Sequence, residues 1–598
     1  MASEEDTMEN CLVLLCIEAA SQSRDAVETW RRQRRTLERM PSQLADALLH
    51  RLLRRRLLHP SLLEVFKYNV EDIDLRGQRS VDAEWMAYLG AFRYLRSLNV
   101  ADCHRINSSA LWALAGMTSL KELDISRCSK VTDAGIKHLL TIPTLEKLHI
   151  SETGVTAVGI THLSSLTNLS VLNLGGLPVT DLALSSLLVL RKLQHLDLWG
   201  SEITNKGAAV LKMYPKLSFL NLGWTKVTKL PNLSSLTCLN MSNCTIDSLF
   251  EECSDKAPLV MLNLSGATFI DVSEAFLYVE TGSLSFLDVS HSSLQGFHFL
   301  PCMNALDHLD LSSTLMEDDS VELITCMGAK LRNLNLSKTR VSSAGVEILA
   351  GRVPNLEIIS LSCTSVDDYA ISCISKMPSL KVINLSNTNV KGLIQQVGTE
   401  TDWIPSLAAL QNLKWLEKLD LEDTKISDAA VPPLSSFQEL SHLSLKSGFL
   451  TDASLDHLSS IPKLTNLSIQ DVVLTNAGID SFNPPKTLKI LDLRGCWLLT
   501  ENVIMLFCKQ HPQIEVRHEL MHHILQSDQE GSSYSSPSRV TPTTSQLKKQ
   551  GKMPTSSFTR HNNIFLDQRL KYSREELLSM QFSASSLAPS HDRGSVIP

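Results

Sequence analysis

Three features of the 598-residue sequence predict an α/β solenoid. The first is a repeated apolar pattern. In LRNLNLSKTRVSSAGVEILAGRVPNL, residues 331–356, apolar side chains fall at Leu331, Leu334, Leu336 and Val341, and the pattern restarts at Leu356. The second is its period: the pattern recurs in 17 units from Leu95 to Leu488, most of them 24 or 25 residues apart. The third is that each unit splits in two. Its L-x-L segment alternates at the strand period, leucines inward and the residues between them outward. Its second half, such as VTDAGIKHLL after Cys128 or VSSAGVEILA after Thr339, reads as a turn and a short helix. One unit cannot bury its own apolar face. Stacked units bury a continuous core, with a parallel sheet expected on the concave side.

The pattern, L-x-x-L-x-L-x-x-(N/C/T/S)-x-(V/I/L), is that of a leucine-rich repeat, which implies a horseshoe. Cys103, Cys128, Cys244 and Cys496 hold its ninth position, where a buried thiol serves as a small apolar group. With the V-T-D-A-G second half, the units resemble the cysteine-containing repeats of intracellular adaptor proteins. The L-x-G-x-I-P turn of extracellular plant repeats is absent. Outward strand positions are often small and polar: Asn173, Asp197, Asn221, Asn263, Asp310, Asn335, Asn384 and Asp492. Such a face reads as a scaffold for a macromolecule. Trp199, Phe219 and Trp224 lie close in register and are expected either to form an aromatic anchor or to pack against neighbouring rungs. No phosphate loop, triad spacing or catalytic cluster is present, so the sequence predicts neither an enzyme nor a cofactor. His518 and His522 have the i, i+4 spacing of zinc ligands but no evident third ligand, so no metal is expected.

A net charge of −8 argues against a broad nucleic-acid face. The 13 cysteines are odd in number and several fill repeat slots, which points to a reducing compartment. No apolar run approaches the ~18 residues of a membrane helix. CLVLLCIEAA, residues 11–20, is flanked by acids and interrupted by Glu18, unlike a secretory signal. A cytoplasmic protein is expected, and the N-L-S triplets are then repeat grammar rather than glycan sites. Arg31, Arg32, Arg34, Arg35 and Arg54–Arg56 leave nuclear import as an alternative to a solvated helix face.

In chain order, residues 1–75 are expected to be a helical N-terminal cap. One helix is expected from about Met8 to Arg39, with a break. In SQLADALLHRLLRRRLL, Leu44, Leu48, Leu49, Leu52 and Leu53 share a face, with Ser42 as N-cap after Pro41. Leu12, Cys16 and Ala20 spell L-x-x-x-C-x-x-x-A. With the repeats that follow, this order resembles the leucine-rich-repeat substrate receptors of elongin–cullin-type ubiquitin ligases, although Cys11 departs from that box. Residues 76–517 form the solenoid, after a degenerate first rung at Val70, Ile73 and Leu75. The interval from Leu217 to Leu236 is 19 residues, which predicts a lost helix. That from Leu380 to Leu416 is 36, with an insert at 391–412 that Trp403 could anchor. Ile514 and Val516 suggest a last partial strand, and 518–525 a C-terminal capping helix.

The tail, 526–598, opens Ser/Thr/Pro/Gln-rich, too poor in apolar groups to order itself. Within it lies an apolar island, NNIFLDQRLKYSREELLSMQF, residues 562–582. Ser573 as N-cap and Glu576 three residues on make a capping box, with Tyr572 and Leu577 at hydrophobic-staple positions. Glu575 and Glu576 suit the helix dipole. Tyr572, Leu577 and Leu578 also spell Y-x(4)-L-φ, which looks like the motif that docks initiation factor 4G and the 4E-binding proteins on the cap-binding factor 4E. A leucine-rich-repeat chain with such a tail resembles the CERES-type plant partners of factor 4E. The resemblance implies a translation regulator that binds factor 4E and its plant isoform at residues 572–578. It further implies that the solenoid recruits initiation factors 4A and 3 and poly(A)-binding protein, without direct nucleic-acid or membrane binding.

Overall fold

The computed structural model describes residues 13–32, 40–252, 256–395 and 403–521. They belong to two compact units, Met1–Leu315 and Met316–Pro598, each a leucine-rich-repeat stack. In the first, three-residue strands pair in parallel from Asp72–Asp74 onward, at a register that keeps the central apolar residue in line: Ile73, Leu98, Leu123, Leu148, Leu172, Leu196. The run reaches His308–Asp310. In the second unit the same pairing runs from Asn333–Asn335 to Glu515–Arg517, the latter against Ile490–Asp492. The central residues are buried because alternation turns every second side chain inward.

Three ladders explain the rest of the repeat. The thiols of Cys103, Cys128 and Cys496 lie under the turns and donate to the carbonyls of Leu75, Val100 and Ile469 at 3.2–3.3 Å. Burial pushes Cys128 and Cys496 up to about 12 and Cys103 to about 11, so these thiols stay protonated and inert. A second ladder occupies the turn after each strand, where one residue per rung takes a left-handed conformation, as at Asp102 (φ 59°), Arg127 (φ 61°) and Asn243 (φ 54°). Its N–H is thereby aimed at the next rung, Asp102 donating to the Ser126 carbonyl at 2.9 Å.

The third ladder accounts for T-D-x-G on the helical side. Asp133 accepts the Thr156 backbone N–H at 2.8 Å and its hydroxyl at 2.6 Å. Asp181 does the same to Thr204, and Asp428 to Thr451. These threonines stand at helix starts, where N–H groups lack intrahelical partners. The glycine is required by contact: a Cβ at Gly159 would fall 2.1 Å from Asp133 Oδ1.

The irregular intervals have structural counterparts. No helix lies between the strands Phe219–Asn221 and Cys238–Asn240, where the interval is 19 residues. Just beyond, Thr245–Ile246 pairs in parallel with Thr268–Phe269 outside the main sheet. The insert begins with an antiparallel hairpin, Leu393–Gln395 against Trp403–Pro405, and ends in the 3-10 helix Ser406–Asn412. Trp403 is more than half exposed, so it does not anchor the insert. The buried carboxylate of Asp368 does, accepting from the backbone N–H groups of Lys391 and Gly392 and the Ser406 hydroxyl at 2.6–2.9 Å.

At the N-terminal end, residues 13–20, Arg24–Arg31 and Ser42–Arg54 are helical. The cap position of the last is Pro41, not Ser42, which is the first helical residue and makes no side-chain cap bond. Ala45, Leu48, Leu49 and Leu52 form its buried face. Arg51 and Arg55 both pair with Glu18, and their hydrogen bonds hold the Glu18 carboxyl below its usual range. Arg55 is therefore occupied within the domain rather than displayed. Of the stretch 518–525, only His518–Met521 lie within the described residues.

Candidate functional site

The open face of the sheet in the first unit carries two side-chain rows, one on each side of the buried central residue. The row after it is the Asn/Asp row. These side chains are not a free polar surface: each folds back to accept the backbone N–H two residues on. Asn173 accepts from Gly175 at 2.9 Å, Asp197 from Trp199 at 3.0 Å, Asn221 from Gly223 at 3.1 Å and Asn263 from Ser265 at 2.9 Å. In the second unit Asn335, Asn384 and Asp492 do the same. The row is a ladder of Asx turns that fixes the strand ends. Burial raises the Asp197 carboxyl, partly offset by the Trp199 N–H and Asn221.

The row before the central residue holds the site. On six successive rungs it reads Val171, His195, Phe219, Cys238, Met261 and Phe286. The His195 and Phe219 rings stack at 3.8 Å, and Phe286 stacks on His308 at 4.9 Å. Burial and then the nearby His149 push the His195 imidazole below its ordinary value, so the stripe is uncharged at neutral pH. Met261 is 45% exposed and Cys238 and Phe286 are half-buried, leaving apolar area facing solvent on a face otherwise polar.

Two tryptophans stand in the turns on the far side of the Asn/Asp row, which separates them from this stripe. Trp199 lies over a glycine shelf, where a Cβ on Gly176 would come within 3.1 Å of Trp199 Cζ3. Gly176 has φ +70°, a conformation that costs glycine little. Trp224 is 60% exposed and occupies the left-handed turn position at φ 59°, uncommon for so bulky a residue. Of the three rings picked from sequence, Phe219 is thus in the stripe, while the two Trp stand in the turns beyond the Asn/Asp row. Met261 and Phe286 were missed, although both immediately precede a buried repeat Leu, the position that Phe219 also holds. Toward the first rungs the face turns acidic, with a recess of about 480 Å³ among Asp72, Asp74, Arg76, Asp124 and His149.

Other sequence-predicted positions fall as follows. Cys16 is exposed and Ala20 half-buried, its carbonyl taking the Trp30 indole N–H at 2.8 Å; Leu12 lies outside the described residues. Ile17 is buried between them, and Leu14 and Leu15 are exposed. Tyr572, Ser573, Glu576, Leu577, Leu578 and His522 lie outside the described residues. His518 is buried, with Nδ1 taking the Leu520 N–H at 3.2 Å and Nε2 near the Cys496 carbonyl at 3.4 Å. Both ring nitrogens therefore serve the fold. Among the described residues there is no group of three metal-ligating side chains, and no helix is long and apolar enough to cross a membrane.

A leucine-rich-repeat family model matches residues 116–140 and 189–212. F-box/LRR-repeat protein 12 of Arabidopsis thaliana is 30% identical over 115 residues, which are 19% of this chain and 29% of that protein. Among solved structures, the mouse RP105/MD-1 complex is similar at 18% identity and a TM-score of 0.47, over 77% of this chain and 81% of that one. The functional domain of InlJ from Listeria monocytogenes is similar at 18% identity and a TM-score of 0.38, over 63% and 74%. The fold is that of a leucine-rich-repeat solenoid.

Proposed function

We propose that this chain is a non-enzymatic cytoplasmic adaptor and translation regulator, binding one partner on its open face and factor 4E through its tail. The observation that carries the scaffold role is the apolar stripe from Val171 to Phe286 on an otherwise polar sheet face. Buried apolar and aromatic contacts of this kind concentrate binding energy. The 4E part rests on Tyr572, Leu577 and Leu578 with the helix-start grammar of Ser573 and Glu576. On this reading the repeats serve factors 4A and 3 and poly(A)-binding protein. The test is titration of the full chain against purified factor 4E and its plant isoform. Tyr572→Ala with Leu577→Ala should weaken binding about 100-fold or more, the scale of two lost anchors. Equal binding by the double variant, or none by the native chain, ends the 4E reading.

A second reading is favoured by the N-terminal helix, whose Cys16 side is open to solvent. In it the chain is a substrate receptor of an elongin/cullin-type ubiquitin ligase, using Leu12, Cys16 and Ala20. The similar Arabidopsis protein also joins, by its name, an F-box to leucine-rich repeats. Elongin C binding lost in Leu12→Ala with Cys16→Ala, and kept in the tail variant, would select it.

A further inference from the structure

The acids of this chain leave a gap where the apolar stripe runs. Residues 203–246 hold Lys206, Lys212, Lys216, Lys226 and Lys229 and no Asp or Glu, and residues 182–196 hold Arg191 and Lys192 and again no acid. Of the acids that bound these runs, Asp181 is spent on Thr204 and Asp197 on the Trp199 N–H. A chain of net charge −8 thus carries a local excess of lysine on the rungs of His195, Phe219 and Cys238. Lys192 and Lys216 stand immediately before the leucines that open two adjacent rungs, and both are exposed. With Lys121, Glu146, Ser170 and Gln194 they line a recess of about 420 Å³. Ser170 and Gln194 directly precede Val171 and His195, so the recess borders the stripe on its strand-start side. Within it Lys121 is spent on Glu146, at 2.7 Å, and that pair is neutral. Lys192 donates to the Asn168 side-chain oxygen at 2.7 Å, and neither it nor Lys216 pairs with a carboxylate among the described residues.

We propose that the partner of the open face is a protein segment rich in Asp or Glu, whose carboxylates take Lys192 and Lys216 while a neighbouring apolar side chain covers the His195–Phe219 stack. The proposal rests on the scaffold reading and adds to it the chemistry of the partner. Two ammonium groups without a counter-charge, beside an uncharged aromatic surface, complement such a segment: charge orients the encounter and burial of the apolar side chain holds it. The spacing suits it as well. Adjacent strands lie ~4.8 Å apart, and acids two residues apart on an extended segment, at about 7 Å, bridge the two lysine stems. A nucleic-acid backbone fits less well. Toward the first strands the free lysines give way to the neutral Lys121–Glu146 pair and then to Asp72 and Asp74, so the positive track is only two rungs long.

The experiment is selection from a phage-displayed library of random dodecapeptides on the immobilised full chain, followed by titration of the enriched peptides. These should combine Asp or Glu with a nearby Phe, Trp, Leu or Met, and should bind more weakly as salt rises. Lys192→Glu with Lys216→Glu should weaken them about 10- to 100-fold, and copies with their acids changed to Lys should prefer that variant to the native chain. Both lysines are exposed, so circular dichroism and the thermal midpoint should be unchanged; Lys192→Ala with Lys216→Ala, with a smaller loss in the same direction, keeps the test if they are not. Phe219→Ala should weaken the same peptides. Enriched peptides that need Phe219 but carry no acids, or acidic ones indifferent to the two lysines, overturn the proposal and leave the scaffold reading standing. Peptides indifferent to Phe219 and to the lysines alike remove both. A single-stranded oligouridine that binds more tightly than every selected peptide, and is lost in the lysine variant, would make this a nucleic-acid site and overturn the proposal.

Discussion

The imidazole of His195 lies flat on the ring of Phe219, with centroids 3.8 Å apart and planes 2° from parallel. Burial, and secondarily the charge of His149, depresses the His195 pKa. The folded state therefore binds this proton less readily than the unfolded chain. The stabilisation is whole above the ordinary histidine value and is lost as pH falls through the lowered one. In an NMR titration the His195 midpoint should lie below the ordinary value. Phe219→Ala uncovers the ring and should move the midpoint back up, at a cost below the ~3–5 kcal/mol of a fully buried Phe. A native midpoint at the ordinary value, unmoved by the variant, would count against the stacked and desolvated ring.

Asp197 gives the opposite sign. Burial raises its pKa, so ionisation opposes folding at neutral pH. Asp197→Asn retains the oxygen that accepts the Trp199 N–H. It should therefore be as stable as the native chain or more so at pH 7. The advantage should fade as pH falls through the raised folded value and vanish below the ordinary carboxylate range. Denaturant midpoints of both proteins across pH 3–7 measure this. A variant less stable at pH 7 would mean that the carboxylate makes a favourable contact the asparagine cannot replace.

The repeat was legible because its two periods are written in side chains: Leu172 to Leu196 to Leu220 is both a register and a spacing. The lost helix after Phe219 could also be read, since 19 residues cannot hold strand, turn and helix. What could not be read is how the polar residues are spent. Asn173 and Asp197 look like free surface in a one-dimensional pattern, and only the turn geometry shows that each accepts an N–H two residues on. The stripe was half seen, because Met261 and Phe286 are ordinary outward strand positions until parallel pairing sets them in line with Phe219. Asp133 and Thr156 illustrate the same limit on the helical side. T-D-A-G was recognised as a helix start, but a bond to the next rung, 23 residues away, has no local signature.

That ladder predicts a coupling between Asp452 and Gly478. Asp452 accepts the Thr475 N–H at 2.8 Å and its hydroxyl at 2.6 Å, and a Cβ at Gly478 would fall 2.0 Å from Asp452 Oδ1. Gly478→Ala should cost about 1–3 kcal/mol through crowding, although alanine suits a helix better. Asp452→Ala should cost about 1.5–3 kcal/mol through its charged hydrogen bonds. The double variant should cost clearly less than the two together, because removing the carboxylate makes room for the methyl. Additive losses in a double-mutant cycle would show that the crowding at Gly478 comes from elsewhere.

Asp368 predicts how the insert is held. Its Oδ1 accepts the Gly392 N–H at 2.8 Å and the Ser406 hydroxyl at 2.6 Å, while Oδ2 accepts the Lys391 N–H at 2.9 Å. One buried carboxylate thus ties both ends of the hairpin to the helix Asp368–Ile374. Asp368→Ala leaves buried N–H groups unpaired, a local loss of about 2–3 kcal/mol. The Lys391 and Gly392 amides should exchange faster by about 30- to 150-fold, the same energy expressed as a rate. Trypsin should cut after Lys391 correspondingly sooner. Asp368→Asn keeps one accepting oxygen, so it should protect Gly392 better than Lys391. Uniform loss at both amides in the Asn variant would show that the negative charge, rather than the individual acceptor atoms, holds the insert.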